Sequence, residues 1–320
     1  MAGEGPPPTT YSVKQSKFVG GGPSPAMTII GMIERNIVEG KPTMSTTRAP
    51  RQKAPPGTCD SHFHIFGPYD RFPLADSRRY DPPPALVPEY LAMAESLGIE
   101  RMVVVQASVS GTDNAVTLDA VRQFGLHRAR GVAVVDASFT DGAFKTMHDQ
   151  GIRGIRFNIA TGGGTPEEQL SEVARRIAPL GWHIQVYADG DKLEEIAPVL
   201  AKLPVQVVID HCGGVMSNLG TGHSQFQALL RLLDSGNAWI KVCSYRVSSR
   251  GHPWDDTGAN VRALVAAAPE RCVWGTDWPH PQMDPCPEAG QQLDLFHDWI
   301  TDTATRHRVL VDNAARLYGF

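Results

Sequence analysis

Asp60, His62 and His64 occupy alternate positions in the run Cys59-Asp60-Ser61-His62-Phe63-His64. In an extended chain successive side chains point to opposite faces, so His62 and His64 would share one. Two imidazoles on one interior face are costly unless they are well bonded or used. A single histidine there would read as structural. Two at this spacing read as chemistry: proton transfer, polarisation of a carbonyl, or metal ligation. A second run, Trp274-Gly275-Thr276-Asp277-Trp278-Pro279-His280, lies near the other end of the chain. A carboxylate such as Asp277 can accept a proton from water as the water attacks a carbonyl, and His280 follows within three residues.

Smaller groups lie between them. Arg156 sits in Arg156-Phe157-Asn158, Tyr187 closes an apolar run, and Asp210-His211 precedes Cys212-Gly213-Gly214. Arg246 and Arg250 follow another apolar run, and either could reach a ligand from there. A guanidinium suits a substrate carboxylate because its donors match the anion's two oxygens. His183 falls near the start of its run, away from the ends that carry these residues, so it is not counted among them.

The elements that must position these groups repeat. Short Val- and Ile-rich runs predict strands at Cys59–Phe66, Arg101–Ser108, Gly131–Asp136, Gly154–Asn158, His183–Ala188, Val205–His211, Trp239–Ser244 and Cys272–Trp278. Amphipathic stretches predict helices between them, each stopped by Gly or Pro, with a last helix over Gln291–Tyr318 broken once. Strand–helix alternation of this length predicts an α/β fold, a single-domain (β/α)8 TIM barrel. The candidate residues then fall where such barrels carry their chemistry, at the C-terminal ends of the strands. An open doubly wound sheet would show a glycine-rich phosphate turn after its first strand. Here that strand ends in Asp-Ser-His-Phe-His, and Gly162-Gly163-Gly164 reads as a loop.

Residues 1–56 differ from the rest. They hold nine of the 25 prolines and no sustained periodicity, which predicts a flexible Pro/Gly-rich extension ahead of a catalytic domain at 57–320. Net charge is −4 with no basic block, so nucleic acid is not expected as a partner. No apolar run is long enough to span a membrane. The five cysteines form no C-x-x-C pair, which predicts reduced thiols and a cytoplasmic protein.

The first and last motifs, with Val104-Val105-Gln106-Ala107, Gly151-Ile152-Arg153-Gly154-Ile155-Arg156-Phe157-Asn158, Asp210-His211 and Val311-Asp312-Asn313-Ala314-Ala315-Arg316-Leu317-Tyr318, resemble the amidohydrolase superfamily over about 57–320. The similarity points to the branch containing 2-pyrone-4,6-dicarboxylate lactonase and galactarolactone isomerase. The resemblance implies that Asp277 activates water, that His62, His64 and His211 contact the reacting end of the substrate, and that His280 accompanies Asp277. It implies substrate binding by Tyr80, Arg156 and Tyr187, with Arg246 or Arg250 completing the set. Two further arginines of the pyrone lactonase are replaced here by Thr161-Gly162-Gly163-Gly164 and Gly213-Gly214-Val215. That loss of cations predicts weaker binding of a dicarboxylate.

The expected activity is therefore hydrolysis of a small carboxylated lactone, of the sugar-acid or pyrone-carboxylate type. The partner is a small-molecule substrate. No obligatory metal is expected, because the resembling branch works without one and strand 4 offers Arg156 in place of a ligand. The alternative is a zinc-dependent decarboxylase of an aromatic or unsaturated acid, with a single divalent ion on His62, His64 and Asp277. A non-catalytic binding barrel is the third reading.

Overall fold

Strands of an all-parallel sheet are covered on both faces, so they need apolar side chains on both. The computed structural model, which describes residues 48–320 apart from Gly163 and Ser244, pairs the Val- and Ile-rich runs in that way. The strands are β1 (Cys59–Phe63), β2 (Arg101–Val105), β3 (Ala129–Ala133), β4 (Ile152–Asn158), β5 (His183–Tyr187), β6 (Val207–Ile209), β7 (Ala238–Lys241) and β8 (Cys272–Val273). Each pairs in parallel with the next, in chain order from β1 to β8. The backbone following β8 then returns to β1. Ser61 N donates to Trp274 O at 3.0 Å, Asp277 N to His62 O at 2.7 Å, and His64 N to Trp278 O at 2.8 Å. This closes the TIM barrel.

The helices are α1 (Val87–Leu97), α2 (Ala115–Phe124), α3 (Asp141–Asp149), α4 (Leu170–Ile177), α5 (Gly190–Leu200), α6 (Ser224–Asp234), α7 (Gly258–Ala267), α8 (Ala289–Trp299), α9 (Thr303–His307) and α10 (Asn313–Tyr318). Several start on a side-chain cap: Thr140 accepts from Ala143 N, Asp189 from Lys192 N, and Asp302 from Thr305 N. The C-terminal helix breaks at Ile300–Asp302. From there α9 runs through a π-helical turn, Arg308–Asp312, into α10.

Every strand but β4 is shorter than its apolar run predicts, and β1 and β8 show why. The first run reaches Phe66, but β1 ends at Phe63, and Phe66 pairs antiparallel with Ala85 instead. The last run reaches Trp278, but β8 stops at Val273. Beyond it the chain leaves the extended region, and Asp277 adopts φ 58°, a left-handed conformation that asparagine and aspartate tolerate better than most residues.

The side chains divide by face. Phe63, Met102, Val104, Ala133, Ile155, Phe157, Ile184, Val186, Val207, Ile209 and Ile240 join the large core under the helices. Val103, Val105, Val132, Val208, Trp239 and Val273 meet in a separate cluster with Cys59, Ala314 and Tyr318. Residues from strands that are not neighbours can touch this way only inside the barrel. The remaining inward positions of β1, β4, β5 and β7, above this apolar layer, are polar: His62, Arg156, Gln185 and Lys241.

The expected extension at 1–56 lies outside the described residues as far as 47. Residues 48–54 run along α1 and α8. Ala54 N donates to Leu97 O, Arg51 N donates to Asp294 Oδ1 at 2.7 Å, and the Arg48 carbonyl passes where a Cβ on Gly290 would sit. Cys59, Cys212, Cys243 and Cys272 are free and buried. Among the described residues no helix is long and apolar enough to cross a membrane.

Candidate active site

The site is built from the residues at and just beyond the strand ends. Asp277 divides its carboxylate between two roles. Oδ2 accepts from the Tyr245 hydroxyl and from Arg246 Nε. Oδ1 has no hydrogen-bond donor; it faces His64 Nε2 at 3.4 Å and His62 Nε2 at 3.6 Å. Burial pushes this carboxyl up, but the Arg246 charge holds it well below the usual carboxylate range, so it is ionised.

Both strand-1 imidazoles are neutral. Burial lowers the pKa of His62 and of His64 against the pull of neighbouring carboxylates. A neutral ring has one N–H and one lone pair, and the partner of one nitrogen decides the state of the other. His64 Nδ1 lies 2.8 Å from Val105 O, an acceptor only, so Nδ1 carries the hydrogen and Nε2 the lone pair. His62 Nδ1 lies 3.2 Å from Lys241 Nζ. Lys241 is buried in β7 and also donates to Gln185 Oε1 at 2.8 Å. Burial brings Lys241 down to about 8, with Asp210 pulling the other way, so at neutral pH it is an ammonium with donors only. Asp210 Oδ1 lies 3.3 Å from the same nitrogen, so a donor and an acceptor both face His62 Nδ1.

His211 stands beside this pair, its ring 4.8 Å from that of His62 and 4.9 Å from that of Tyr187. Burial lowers it to about 4. His211 and Cys212 have φ 48° and 51°, which turns the chain sharply at the end of β6. Gly214 completes the turn, because a Cβ there would lie 2.4 Å from Ala188 O. His280 packs edge-on to Tyr245 at 5.3 Å, with no hydrogen-bond partner on either ring nitrogen. Burial lowers it to about 4. Arg156 lies 3.4 Å from Asp210 Oδ2, donates to Gln106 O at 3.3 Å and sits over the Tyr187 ring. Tyr80 comes from the loop after β1. Its hydroxyl feels Arg246, Arg156 and Asp277, and burial raises its pKa.

The sequence profile of the amidohydrolase family matches residues 59–320. The chain belongs to the amidohydrolase family. This amidohydrolase is 37% identical to 2-pyrone-4,6-dicarboxylate hydrolase of Comamonas testosteroni, over 84% of this chain and 92% of that protein. It is 38% identical to 4-sulfomuconolactone hydrolase of Rhizobium radiobacter, over 83% and 91%. Its fold superposes with a TM-score of 0.73 on a probable 2-pyrone-4,6-dicarboxylic acid hydrolase of Acinetobacter baumannii with citric acid bound, at 27% identity over 82% of this chain and all 100% of that one.

The barrel of this amidohydrolase brings His62, His64, His211, Asp277, His280, Tyr80, Arg156, Tyr187 and Arg246 to one mouth. It does not bring Arg250 there. That side chain is 65% exposed and pairs with Asp255 at 2.9 Å. His183 lies at the other end of β5, against Tyr318. Sequence reasoning quoted Asp210 without giving it a role and passed over Tyr245, Gln185 and Lys241. The last two carried a signal: each is a polar residue at an inward position of an otherwise apolar strand.

Metal-dependent members of the family would use the groups gathered here. His62 Nε2, His64 Nε2 and Asp277 Oδ1 lie within 4.8 Å of one another, as do the ligand atoms of two sets that include His211. A ring nitrogen that carries a hydrogen gives it up when it binds a metal, so His62, His64 and Asp277, with His211 beside them, could hold one divalent ion, which would supply a Lewis acid at the mouth.

Proposed function

We propose that this amidohydrolase opens a small carboxylated lactone by hydrolysis. The observation that carries the reading is the divided carboxylate of Asp277. One oxygen is fixed by Tyr245 and Arg246, and the other is ionised, buried and free to take a proton. Water held at Oδ1 gives that proton to Asp277 as its oxygen adds to the lactone carbonyl. His62 donates to the developing oxyanion through Nε2. The adduct collapses, the ring C–O bond breaks, and the proton on Asp277 passes to the leaving ring oxygen. Arg156, Tyr80, Tyr187 and the outer edge of Arg246 hold the substrate carboxylate. Two relatives named as hydrolases of cyclic esters, and a neighbour with a polycarboxylate bound, support this class of substrate.

Metal content of untreated protein, measured beside acid release from a panel of carboxylated lactones with and without chelator, tests the reading. Acid release that resists the chelator is the expected result. Stoichiometric zinc, no lactone turnover and loss of carbon dioxide from aromatic acids would replace it with the decarboxylase.

A further inference from the structure

Both donors that fix Asp277 Oδ2, the Tyr245 hydroxyl and Arg246 Nε, come from one three-residue turn, Tyr245–Val247. The turn lies beyond the end of β7 at Lys241, so strand pairing does not fix it. It is anchored on its far side by Asp256. Asp256 Oδ1 accepts from the Ser248 hydroxyl. Its Oδ2 accepts from Ser249 N at 2.9 Å, from the Ser249 hydroxyl at 3.0 Å and from the Ser217 hydroxyl. Burial pushes this carboxyl up, but the bonds from Ser217, Ser248 and Ser249 bring it down to about 2, so it is an anion at neutral pH.

Three stretches of chain meet on this one carboxylate. Ser217 belongs to the loop after β6, which begins at His211. Ser248 and Ser249 continue the turn that carries Tyr245 and Arg246, and Ser248 N donates to Tyr245 O at 3.2 Å. Asp256 follows Trp254, whose φ of 61° is strained for so large a residue. Such a conformation persists only where its surroundings over-determine it. Here Trp254 packs edge-on to the Tyr245 ring, centroids 6.4 Å apart, and its backbone donates to Gly251 O at 2.7 Å. The loop after β7 thus folds back onto the turn, and Asp256 fastens it there. Removing the carboxylate takes the acceptor from both serines that lie just beyond Arg246. We infer that Asp256 is a positioning residue: by clasping the serines of both loops it holds Tyr245 and Arg246 on Asp277 Oδ2, and so decides which carboxylate oxygen is left toward the mouth. Its effect on rate rests on the proposed role of Asp277, whereas its effect on the Arg246–Asp277 pair does not.

The arginine Nε–H resonances of protein labelled with nitrogen-15 arginine test the pair without any substrate, with the Arg246 signal identified by its loss in Arg246→Met. In the wild type a buried carboxylate holds that hydrogen, so its signal lies downfield and exchanges slowly with water. In Asp256→Ala it moves to the position of the exposed arginines. On a lactone that the panel shows to be turned over, Asp256→Ala lowers kcat/KM by about 10²-fold, the cost of a misplacement of about 1 Å. In an Arg246→Met background most of that fall disappears, because a residue that acts through another is not additive with it. Lost stability alone would move neither readout at a temperature where the variant is folded. An Arg246 signal that stays in its wild-type position in folded Asp256→Ala overturns the inference, and so does an equal fall in kcat/KM in both backgrounds. If Asp256→Ala does not fold, Ser248→Ala, which takes one hydroxyl from the clasp, decides by the same two readouts. A shifted signal with no lactone turned over would strike the proposed reaction and support the clasp, and an unshifted signal with normal turnover would do the reverse.

Discussion

Arg246 Nε lies 2.5 Å from Asp277 Oδ2, an ion pair in which the carboxylate is buried and the guanidinium side chain is 17% exposed. The arginine thus faces the carboxylate on one side and the mouth on the other. It orients Asp277 while weakening it as a base. A substrate carboxylate that engages the outer edge of Arg246 would share its charge and return basicity to Asp277 as the ligand binds.

Arg246→Met makes this measurable. Arg246 is among the groups that hold Asp277 below the usual carboxylate range, so its removal raises the Asp277 pKa. The acid limb of kcat/KM then moves to higher pH, and KM rises because a cation is lost. An acid limb that stays in place would separate Arg246 from the base.

Asp277→Asn keeps the shape of the side chain and removes its basicity. A drop in kcat of about 10²–10⁴-fold is expected, the range for a positioned general base. Circular dichroism should show an unchanged fold. A purified, folded variant with the wild-type rate would remove Asp277 from the reaction.

Gly275 lets the chain after β8 lie against β1. A Cβ there would fall 2.8 Å from both the backbone nitrogen and the Cβ of His62. Gly275→Ala must therefore push β1 away, at a cost of about 1–3 kcal/mol. A lower thermal midpoint together with a lower kcat is expected. If only the midpoint falls, the seam holds the barrel but does not place His62.

His183 sits away from the mouth, buried with Nε2 unpartnered, and burial lowers it to about 3. The unfolded chain takes up this proton near pH 6.5 and the folded protein resists it. The stability this group contributes is thus present above pH 6.5 and is lost as pH falls toward 3. His183→Leu should reduce the loss of stability between pH 6.5 and 4 by on the order of 2 kcal/mol. Urea midpoints at both pH values in the two proteins check this, and parallel losses would refute it. Turnover at pH 7.5 should not change.

The strand runs were legible because each is a local pattern of Val and Ile between Gly and Pro stops. The pairing of His62 with His64 on one face was legible for the same reason: alternation is a property of any extended chain. The ends of β1 and β8 were not. There the run of apolar residues continues, but hydrogen bonds across the β1–β8 seam and the left-handed turn at Asp277 take over from strand pairing. Between Arg246 and Arg250 the sequence offered no preference. The short 3₁₀ turn Tyr245–Val247 directs the first to Asp277, and Asp255 holds the second in solvent.

What the sequence by itself determined is what depends on neighbours along the chain: the strand and helix order, the shared face of His62 and His64, and so the candidate residues at the strand ends. The tertiary structure alone decided what surrounds those residues: Asp210 and Gln185, from other strands, close around the buried Lys241. Parts of the chain far apart in sequence bring Lys241 to 3.2 Å and Asp210 to 3.3 Å from His62 Nδ1, and no local pattern carries that.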